Sequence, residues 1–466
     1  MSHDWQAPDA AVTELILMAC RWFPSWRGTK DNRRGQDWWI GHLQIAAQWR
    51  AAAVLSSVSS GWQAAVRAWQ AHTQVLRPYL VLWSPAAPTD VIGNSVFLGA
   101  ALQAAWRSVS LRCPALTAVD FNHDPISDAT LIELAQRCPC IRKVCTGYQP
   151  FGGDALSSTG FFALARCQEL RELDLTRLHS MERVSTEALA SLGTISLTRL
   201  NLTGATSWLT DEGVQALAAC KSLTELYLST SSGLRDHGLC AIAASCRQLR
   251  VLDVSNCTRI TETSMHALAA LPLRDLELAS CVKVVTDAAL CSWCQRGECH
   301  ITRLGLNRCT AFSAPAMIEF TAICPRLLRL SMAHCPSTTD AVLEALARHC
   351  PGLLEMDVSY CEDVSDAGVT TLVEGCCELE RLYMDGCGDA LTDDFAAALA
   401  RLLPPRLELV SARHCDGALS PKAFLALEEA LPELELRDLS GPGIAPRLVK
   451  LTASAMLAFA QRTYGL

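Results

Sequence analysis

The chain has 466 residues, half of them apolar, so it is long enough to bury a large core. Its net charge of -8 and its pI near 5.8 argue against nucleic acid as the main partner. No apolar run approaches the length of a membrane span, and the first residues lack the basic start of a signal peptide. These features predict an acidic protein whose partners are neither nucleic acid nor a membrane.

The N-terminal region, residues 1–110, is rich in tryptophan and reads as helices. One helical stretch covers residues 10–19, a polar break follows at residues 27–36, and a long alanine-rich stretch covers residues 43–69. None of this region has the periodicity of the residues that follow. We expect it to cap the first repeat, because an uncapped solenoid leaves an apolar edge in water.

Residues 111–440 repeat a short phrase about every 26 residues. In one copy Leu249, Leu252 and Val254 have the spacing Leu-x-x-Leu-x-Val and are followed by Cys257. Twelve copies align, and their first apolar residues are Leu116, Ile141, Leu170, Leu197, Leu223, Leu249, Leu273, Ile301, Leu327, Leu353, Leu379 and Leu407. A fixed period of this size predicts a solenoid of stacked units.

Each unit has two halves with different periodicities. The leucine-containing half alternates apolar and polar residues, which is the pattern of a β-strand. The second half begins with Ser or Thr followed by Asp, as at Thr210-Asp211 and Ser365-Asp366, and continues as a short amphipathic helix. The predicted fold is an α/β solenoid, or horseshoe, of about twelve repeats, with a parallel sheet on the concave side and helices on the convex side.

Fifteen of the 23 cysteines fall into two columns of this repeat. The column after the strand comprises Cys257, Cys281, Cys309, Cys335, Cys361, Cys387 and Cys415, and the column before the strand comprises Cys113, Cys138, Cys167, Cys220, Cys246, Cys324, Cys350 and Cys376. Thiols at stacked, buried positions behave as small apolar groups. They would be at risk in an oxidising compartment, so we predict a cytoplasmic or nuclear protein.

The units resemble the leucine-rich repeat family, and their cysteines resemble the subclass found chiefly in F-box/leucine-rich-repeat proteins. Such proteins carry an F-box directly before the repeats. Residues 52–62 are similar to the second half of an F-box through Val58 and Trp62. Ser59 and Ser60 stand where that motif has Cys and a basic residue, and the Leu-Pro that usually opens it is missing.

The resemblance implies the substrate receptor of an SCF-type ubiquitin ligase, which holds a protein substrate while other subunits transfer ubiquitin. It also implies that the N-terminal helices dock on the adaptor subunit through Leu55, Val58 and Trp62, with the cullin as a further partner. The alternative is a structural scaffold subunit of a stable cytoskeletal, ciliary or other assembly, which the degraded F-box favours. Both hypotheses describe a non-catalytic protein that needs no cofactor.

One cluster of residues has the spacing of metal ligands: Cys291, Cys294, Cys299 and His300. It falls where a repeat helix and its following loop are expected, so core packing explains most of it. His334 precedes a cysteine of the column after the strand, but a Cys–His nucleophilic pair also needs an orienting group and a cleft. We therefore predict neither a metal site nor a catalytic site.

The concave face of the sheet is the surface best suited to binding. Its central column contains five acidic residues, two tyrosines and no basic residue. This composition suits a polypeptide with basic side chains, although exposed strand positions must be polar in any case. The residues predicted to contact a protein partner are Asp174, Asn201, Tyr227, Asp253, Glu277, Asp357 and Tyr383.

The pattern decays after Cys415. Leu434 and Leu439 indicate one last, degenerate strand. Residues 441–466 begin with Gly441-Pro442-Gly443 and continue as an apolar stretch, so we predict that they form a C-terminal cap.

Overall fold

The computed structural model describes residues 75–76, 116–121, 126–146, 156–176, 184–206, 208–297, 299–387, 392–413, 421–432 and 434–437. The chain divides into two compact units, residues 1–276 and residues 277–466. Apart from two residues, the N-terminal region lies outside the described residues, as does the predicted C-terminal cap. The repeats account for almost all of the described residues.

A short strand occurs once in each repeat. The strands are β1 (Val75–Leu76), β2 (Ala118–Asp120), β3 (Lys143–Cys145), β4 (Glu172–Asp174), β5 (Arg199–Asn201), β6 (Glu225–Tyr227), β7 (Val251–Asp253), β8 (Asp275–Glu277), β9 (Arg303–Gly305), β10 (Arg329–Ser331), β11 (Glu355–Asp357), β12 (Arg381–Tyr383), β13 (Leu409–Ser411) and β14 (Glu435–Arg437). In β7 the central Leu252 is buried between the half-buried Val251 and Asp253. This alternation turns one face of each strand to the core, as the sequence pattern predicts.

A helix follows each strand from β2 to β13. The helices are α1 (Asp128–Arg137), α2 (Ser158–Leu164), α3 (Thr186–Ser191), α4 (Asp211–Leu217), α5 (Asp236–Ser245), α6 (Glu262–Leu268), α7 (Asp287–Cys294), α8 (Ala314–Ala322), α9 (Asp340–His349), α10 (Asp366–Gly375), α11 (Asp393–Leu402) and α12 (Pro421–Ala430). The Thr210 hydroxyl accepts a hydrogen bond from Gly213 N at 3.2 Å, which confirms the predicted helix cap. None of the described helices is both long enough and apolar enough to cross a membrane.

In the first unit the strands pair in parallel and in chain order from β1 to β7. Val75 lies opposite Ala118, and Leu76 lies opposite Val119. This short strand departs from the helical reading of residues 1–110. An edge strand has unpaired backbone groups, and β1 supplies hydrogen-bonding partners for the edge of the first repeat.

In the second unit the strands pair in parallel from β9 to β14. The degenerate strand expected after Leu434 is present as β14 and lies in register with β13. Parallel strands need a crossover connection, and the helices of the repeat supply it. The predicted α/β fold of about twelve strand–helix repeats is confirmed across the described residues.

Aspartates in the first helical turn link successive repeats. The Asp211 carboxylate of α4 accepts hydrogen bonds from Arg235 N at 2.7 Å and from Gly238 N at 3.0 Å, both in the next repeat. Arg235 precedes α5 and makes no side-chain cap of its own, so Asp211 supplies the acceptor that a Ser or Thr supplies elsewhere. Asp340 binds Ser365 N in the same way at 2.8 Å. These aspartates therefore join adjacent repeats, in addition to the favourable interaction of their charge with the positive end of their own helix.

The cysteines after the strands hydrogen-bond to the preceding repeat. The Cys257 thiol donates to Leu228 O at 3.3 Å, and Cys335 donates to Leu306 O at 3.1 Å. Burial raises the pKa of Cys335 to about 12. The protonated thiol is a weak donor and a poor nucleophile or metal ligand, because both of those roles need the thiolate. The column is therefore a structural contact between repeats.

The cysteines before the strands form a second column of this kind. Cys246 Sγ donates to Cys220 O at 3.4 Å, and Cys376 Sγ donates to Cys350 O at 3.5 Å. Burial raises the pKa of Cys220 to about 12. Each thiol thus adds a second hydrogen bond to a carbonyl group that already accepts from a backbone amide, as Cys220 O does from Leu223 N at 3.1 Å, and this bond joins adjacent repeats.

Ser231 occupies the position at which later repeats have the cysteine after the strand. Its substitution tests the role of that column. It is fully buried, and its hydroxyl has no hydrogen-bond partner among the described residues. We expect Ser231→Cys to raise the free energy of unfolding by about 1 kcal/mol, because the larger thiol reaches further and an unsatisfied hydroxyl is removed. The midpoint of urea unfolding measures the change, and the reverse substitution Cys257→Ser should lower it. Equal midpoints for all three proteins would refute this account.

Candidate partner-binding surface

From β2 to β12 the first and third residues of each strand, apart from the buried Gly305, form the more exposed side of the sheet, here called the sheet face. The central leucine of a strand points the opposite way, into the core. Leu226 and Leu382, for example, have no exposed surface. Side chains on this face stand side by side on adjacent strands, about 5 Å apart. The seven predicted partner-binding residues all occupy the third strand position and lie on this face.

In the first unit the sheet face carries a cluster around Tyr227. The Tyr227 hydroxyl donates to Glu225 Oε2 at 3.1 Å, and Arg199 Nη1 lies 2.9 Å from the same oxygen. The guanidinium of Arg199 also lies 5.0 Å from the centre of the Tyr227 ring. Burial raises the pKa of Tyr227 to about 12. The ring is thus held in one orientation before any partner arrives, which favours its use as an anchor.

The other predicted residues of the first unit have hydrogen bonds within the protein. Asp174 Oδ1 accepts from Thr176 N at 3.0 Å, and Asp253 Oδ1 accepts from Ser255 N at 2.9 Å. Asn201 Oδ1 accepts from Thr203 N at 3.0 Å. Each bond shapes the turn that leaves the strand. Turn chemistry therefore explains a large part of the acidic column, which the sequence analysis attributed to a basic partner.

In the second unit Glu277 and Arg303 form an ion pair, with Glu277 Oε1 3.2 Å from Arg303 Nε. A Cβ atom on Gly305 would collide with the Glu277 carboxylate. The carboxylate therefore occupies the space that a side chain at position 305 would fill. The sequence could not predict this contact, because glycine at a strand position indicates only that something approaches closely.

Asp357 and Tyr383 lie opposite each other on neighbouring strands β11 and β12. Asp357 Oδ1 accepts from Ser359 N at 3.0 Å, and its second oxygen accepts from the Ser331 hydroxyl at 2.9 Å. Tyr383 is half-buried. The structure thus brings these two predicted residues together, with the carboxylate engaged in the loop and the ring beside it.

Two leucines at the edge of the sheet face were not among the predicted partner-binding residues. Leu328 is 38 % exposed and Leu354 is half-buried, and each directly precedes a strand. Other copies have threonine or arginine at this position, as at Thr224 and Thr302. That contrast between copies is the signal that would have found them.

The loop after each strand from β5 to β12 contains a residue with left-handed backbone. In the second unit Arg308, His334 and Tyr360 have φ of 62°, 57° and 59°, where Gly386 has φ of 66°. The His334 and Tyr360 rings stack with centroids 4.3 Å apart and an angle of 3°. Their amides donate to the next repeat, His334 N to Ser359 O at 2.8 Å. His334 is thus part of a loop stack that joins repeats.

The cysteine cluster of the sequence analysis lies at the end of α7 and in the loop after it. Cys291 and Cys294 are half-buried on that helix, and Cys299 is buried. A hydrogen bond with the Cys324 thiol holds the pKa of Cys299 below its usual value. No group of three or more His, Cys, Asp or Glu residues within the described ranges has an arrangement that would hold a metal ion. Leu55, Val58 and Trp62 lie outside those ranges.

Comparison with known proteins agrees with this architecture. Residues 195–218 match the family described as Leucine Rich repeat. The chain is also similar to a chain of the crystal structure of the Rad7 and Elc1 complex in yeast, with a TM-score of 0.54 and 15 % identity over 88 % of this chain and 98 % of that one. The fold is a leucine-rich-repeat solenoid. This fold is consistent with protein–protein recognition on an extended repeat surface.

A second solved structure is an internalin, inlF, from Listeria monocytogenes str. 4b F2365. Its TM-score is 0.48 at 13 % identity, and the match covers 74 % of this chain and 95 % of the internalin chain.

Proposed function

We propose that this protein is a recognition subunit that binds a protein substrate on its sheet face and acts as the substrate receptor of an SCF-type ubiquitin ligase. The observation that carries the proposal is the order of parts along the chain. Val58 and Trp62 match the second half of an F-box, and the repeats follow from residue 111, with a cysteine after the strand from Cys257 onward. The chemistry would then belong to the other ligase subunits.

Two further observations support the proposal. The Rad7–Elc1 crystal structure, one chain of which is similar in fold to this protein, holds two proteins in complex, which supports a role inside a multiprotein assembly. The many buried cysteines that form no disulfide among the described residues support the cytoplasm or nucleus as the location, because both compartments keep thiols reduced.

The second candidate is a structural scaffold subunit of a stable assembly. Ser59 and Ser60 favour it, because they replace the cysteine and the basic residue of the F-box pattern. A receptor needs an adaptor-binding surface in residues 1–110, whereas a scaffold needs only a cap over its first repeat.

A pulldown of the full-length protein from its own cells separates these candidates. We expect mass spectrometry to find the cullin and its adaptor with the wild type, and to find both lost with Val58→Ala/Trp62→Ala. The double variant removes two apolar side chains that would be buried at the adaptor interface. Capture of a fixed set of cytoskeletal or other structural proteins, without a cullin, would instead establish the scaffold.

The same experiment has a matched control on the sheet face. Asp253→Lys and Glu277→Lys should lose the substrate, because Asp253 lies on the sheet face and Glu277 is the ion-pair partner of Arg303 there. Both should keep the adaptor, because they leave residues 1–110 unchanged. Far-UV circular dichroism of each variant verifies that the repeats remain folded. If both lysine variants capture every partner as the wild type does, Asp253 and Glu277 do not contribute to substrate binding.

A further inference from the structure

The first position of the strands in the second unit is rich in arginine. In chain order this column reads Arg303, Arg329, Glu355 and Arg381 on β9 to β12. The register places Arg329 directly opposite Arg303 on one side and opposite Glu355 on the other. Like charges at directly opposed positions repel each other, so the pair Arg303–Arg329 has an electrostatic cost that an anion between them would remove.

The arginines outnumber their acidic partners in this column. Arg329 Nε lies 3.5 Å from Glu355 Oε2, and Arg381 Nη1 lies 3.9 Å from the same oxygen. Glu277 is the partner of Arg303. Arg329 and Arg381 thus share the single carboxylate of Glu355.

The cations are also the more exposed members of these pairs. The side chains of Arg303, Arg329 and Arg381 are 50 %, 51 % and 44 % exposed. Those of Glu277 and Glu355 are only 23 % and 31 % exposed. The carboxylates lie beneath the guanidinium groups, so a partner that approaches the column meets positive charge first.

Two neighbouring leucines directly precede strands β10 and β11 of this column. Leu354 N donates to Leu328 O at 2.7 Å, so the exposed Leu328 and the half-buried Leu354 are neighbours across adjacent repeats. Leu328 directly precedes Arg329 in the chain. Exposed apolar groups next to a row of guanidiniums form a surface that water solvates poorly and that an amphipathic segment would cover well.

We propose that Arg303, Arg329, Arg381, Leu328 and Leu354, the arginine–leucine patch, bind a partner polypeptide segment that has carboxylate side chains next to apolar ones. Arginine suits this role because its planar fork donates two parallel hydrogen bonds to a carboxylate. The inference rests on the proposed recognition function and narrows its partner. It reverses the expectation of a basic partner for this part of the chain.

A phage-displayed library of random peptides, selected on the full-length protein, tests the proposal. We expect the recovered peptides to carry Asp or Glu beside Leu, Ile or Phe. Fluorescence polarisation of a labelled selected peptide should give a Kd about tenfold higher for Arg329→Gln, since one charge-assisted contact is lost. Arg329→Lys should recover only part of the affinity, because lysine keeps the charge without the planar fork.

The matched control is Arg348→Gln, the same charge change at an exposed position on α9. It should leave the Kd unchanged. Basic recovered sequences, a failure to recover any peptide, or equal Kd values for Arg329→Gln and wild type would each overturn the proposal. Binding that requires a phosphoserine in place of the acidic residue would also overturn it, because the patch would then recognise phosphate.

Capture of the cullin separates this proposal from the proposed ligase function. If Arg329→Gln loses the peptide and still captures adaptor and cullin, both proposals are supported. If the wild type binds acidic peptides and captures no cullin, the patch is supported and the ligase role fails. If it captures the cullin and the peptide affinity does not depend on Arg329, the ligase role is supported and the patch fails.

Discussion

Gly233→Ala is expected to lower the free energy of unfolding by about 3 kcal/mol, because a methyl group at this position has no space. An added Cβ would collide with the carbonyl oxygen of Leu209 in the preceding repeat and would lie 3.2 Å from both Leu209 C and Thr210 Cα. These are backbone atoms, so no side-chain rotation relieves the contact. The two repeats would have to move apart.

The surroundings of Gly233 oppose such a movement. The hydrogen bond from Arg235 N to Asp211 Oδ1, at 2.7 Å, fixes the same two repeats to each other. A shift here would also disturb β6, whose Tyr227 ring is held by Arg199 across the sheet face. The substitution should therefore weaken both the stability and the partner-binding surface of the first unit.

Urea unfolding followed by far-UV circular dichroism measures the effect. Gly352→Ala is the matched control, because the nearest atom to its added Cβ is Leu328 Cδ2 at 3.9 Å, an ordinary contact. Its midpoint should stay within experimental error of wild type. A midpoint for Gly233→Ala equal to that of the control would show that the repeats adapt to the extra methyl group without cost.

The repeat was predictable because its cause is local. Alternation of apolar and polar residues around Leu252 or Leu382 is a property of three neighbouring residues, and it predicts which side faces the core. The helix starts at Thr210 and Ser365 follow from the same local chemistry, since a hydroxyl caps amides two or three residues away. These predictions needed no knowledge of the neighbouring repeat.

The contacts between repeats were not predictable in the same way. Asp211 and Gly238 are 27 residues apart, and nothing in the sequence identifies the amide that a given aspartate reaches. The cysteine columns were expected to be buried, but the thiol donation from Cys257 to Leu228 depends on how two repeats stack. Periodicity shows that positions are equivalent without showing what joins them.

The candidate surface was predicted in its position and only in part in its chemistry. All seven predicted residues lie on the sheet face, but the carboxylates of Asp174, Asp253 and Asp357 also hold their own turns. Leu328 breaks the alternation on which the strand prediction depended, so only the contrast with threonine at the same position of other copies could have pointed to it. The structure was likewise needed to show that the arginines are more exposed than the glutamates with which they pair in the second unit.

Asp236→Asn is expected to lower the free energy of unfolding by about 2 kcal/mol at neutral pH, because the native carboxylate holds two side chains of the next repeat. It accepts from Thr261 N at 2.8 Å, from Thr261 Oγ1 at 2.7 Å and from Ser264 Oγ at 2.5 Å. Burial opposes ionisation of this carboxyl, but the hydrogen bonds from Ser264 and Thr261 outweigh burial and lower its pKa. An amide has one acceptor oxygen and no charge, so it replaces only part of this network.

Because the pKa of Asp236 is lowered in the folded protein, the stabilisation that its carboxylate provides should decrease as the pH falls. A carboxyl whose pKa is lower in the folded state stabilises the fold fully above its unfolded pKa of about 3.9, and this contribution is lost as the pH falls through the folded value. The gap between wild type and Asp236→Asn in urea midpoint should therefore be widest near neutral pH and should close in acid. Asp363→Asn, the same change at an exposed aspartate, should show no gap at any pH. A gap for Asp236→Asn that stayed constant into acid would mean that its cost comes from the shape of the side chain, so the charge of Asp236 would have no part in joining the repeats.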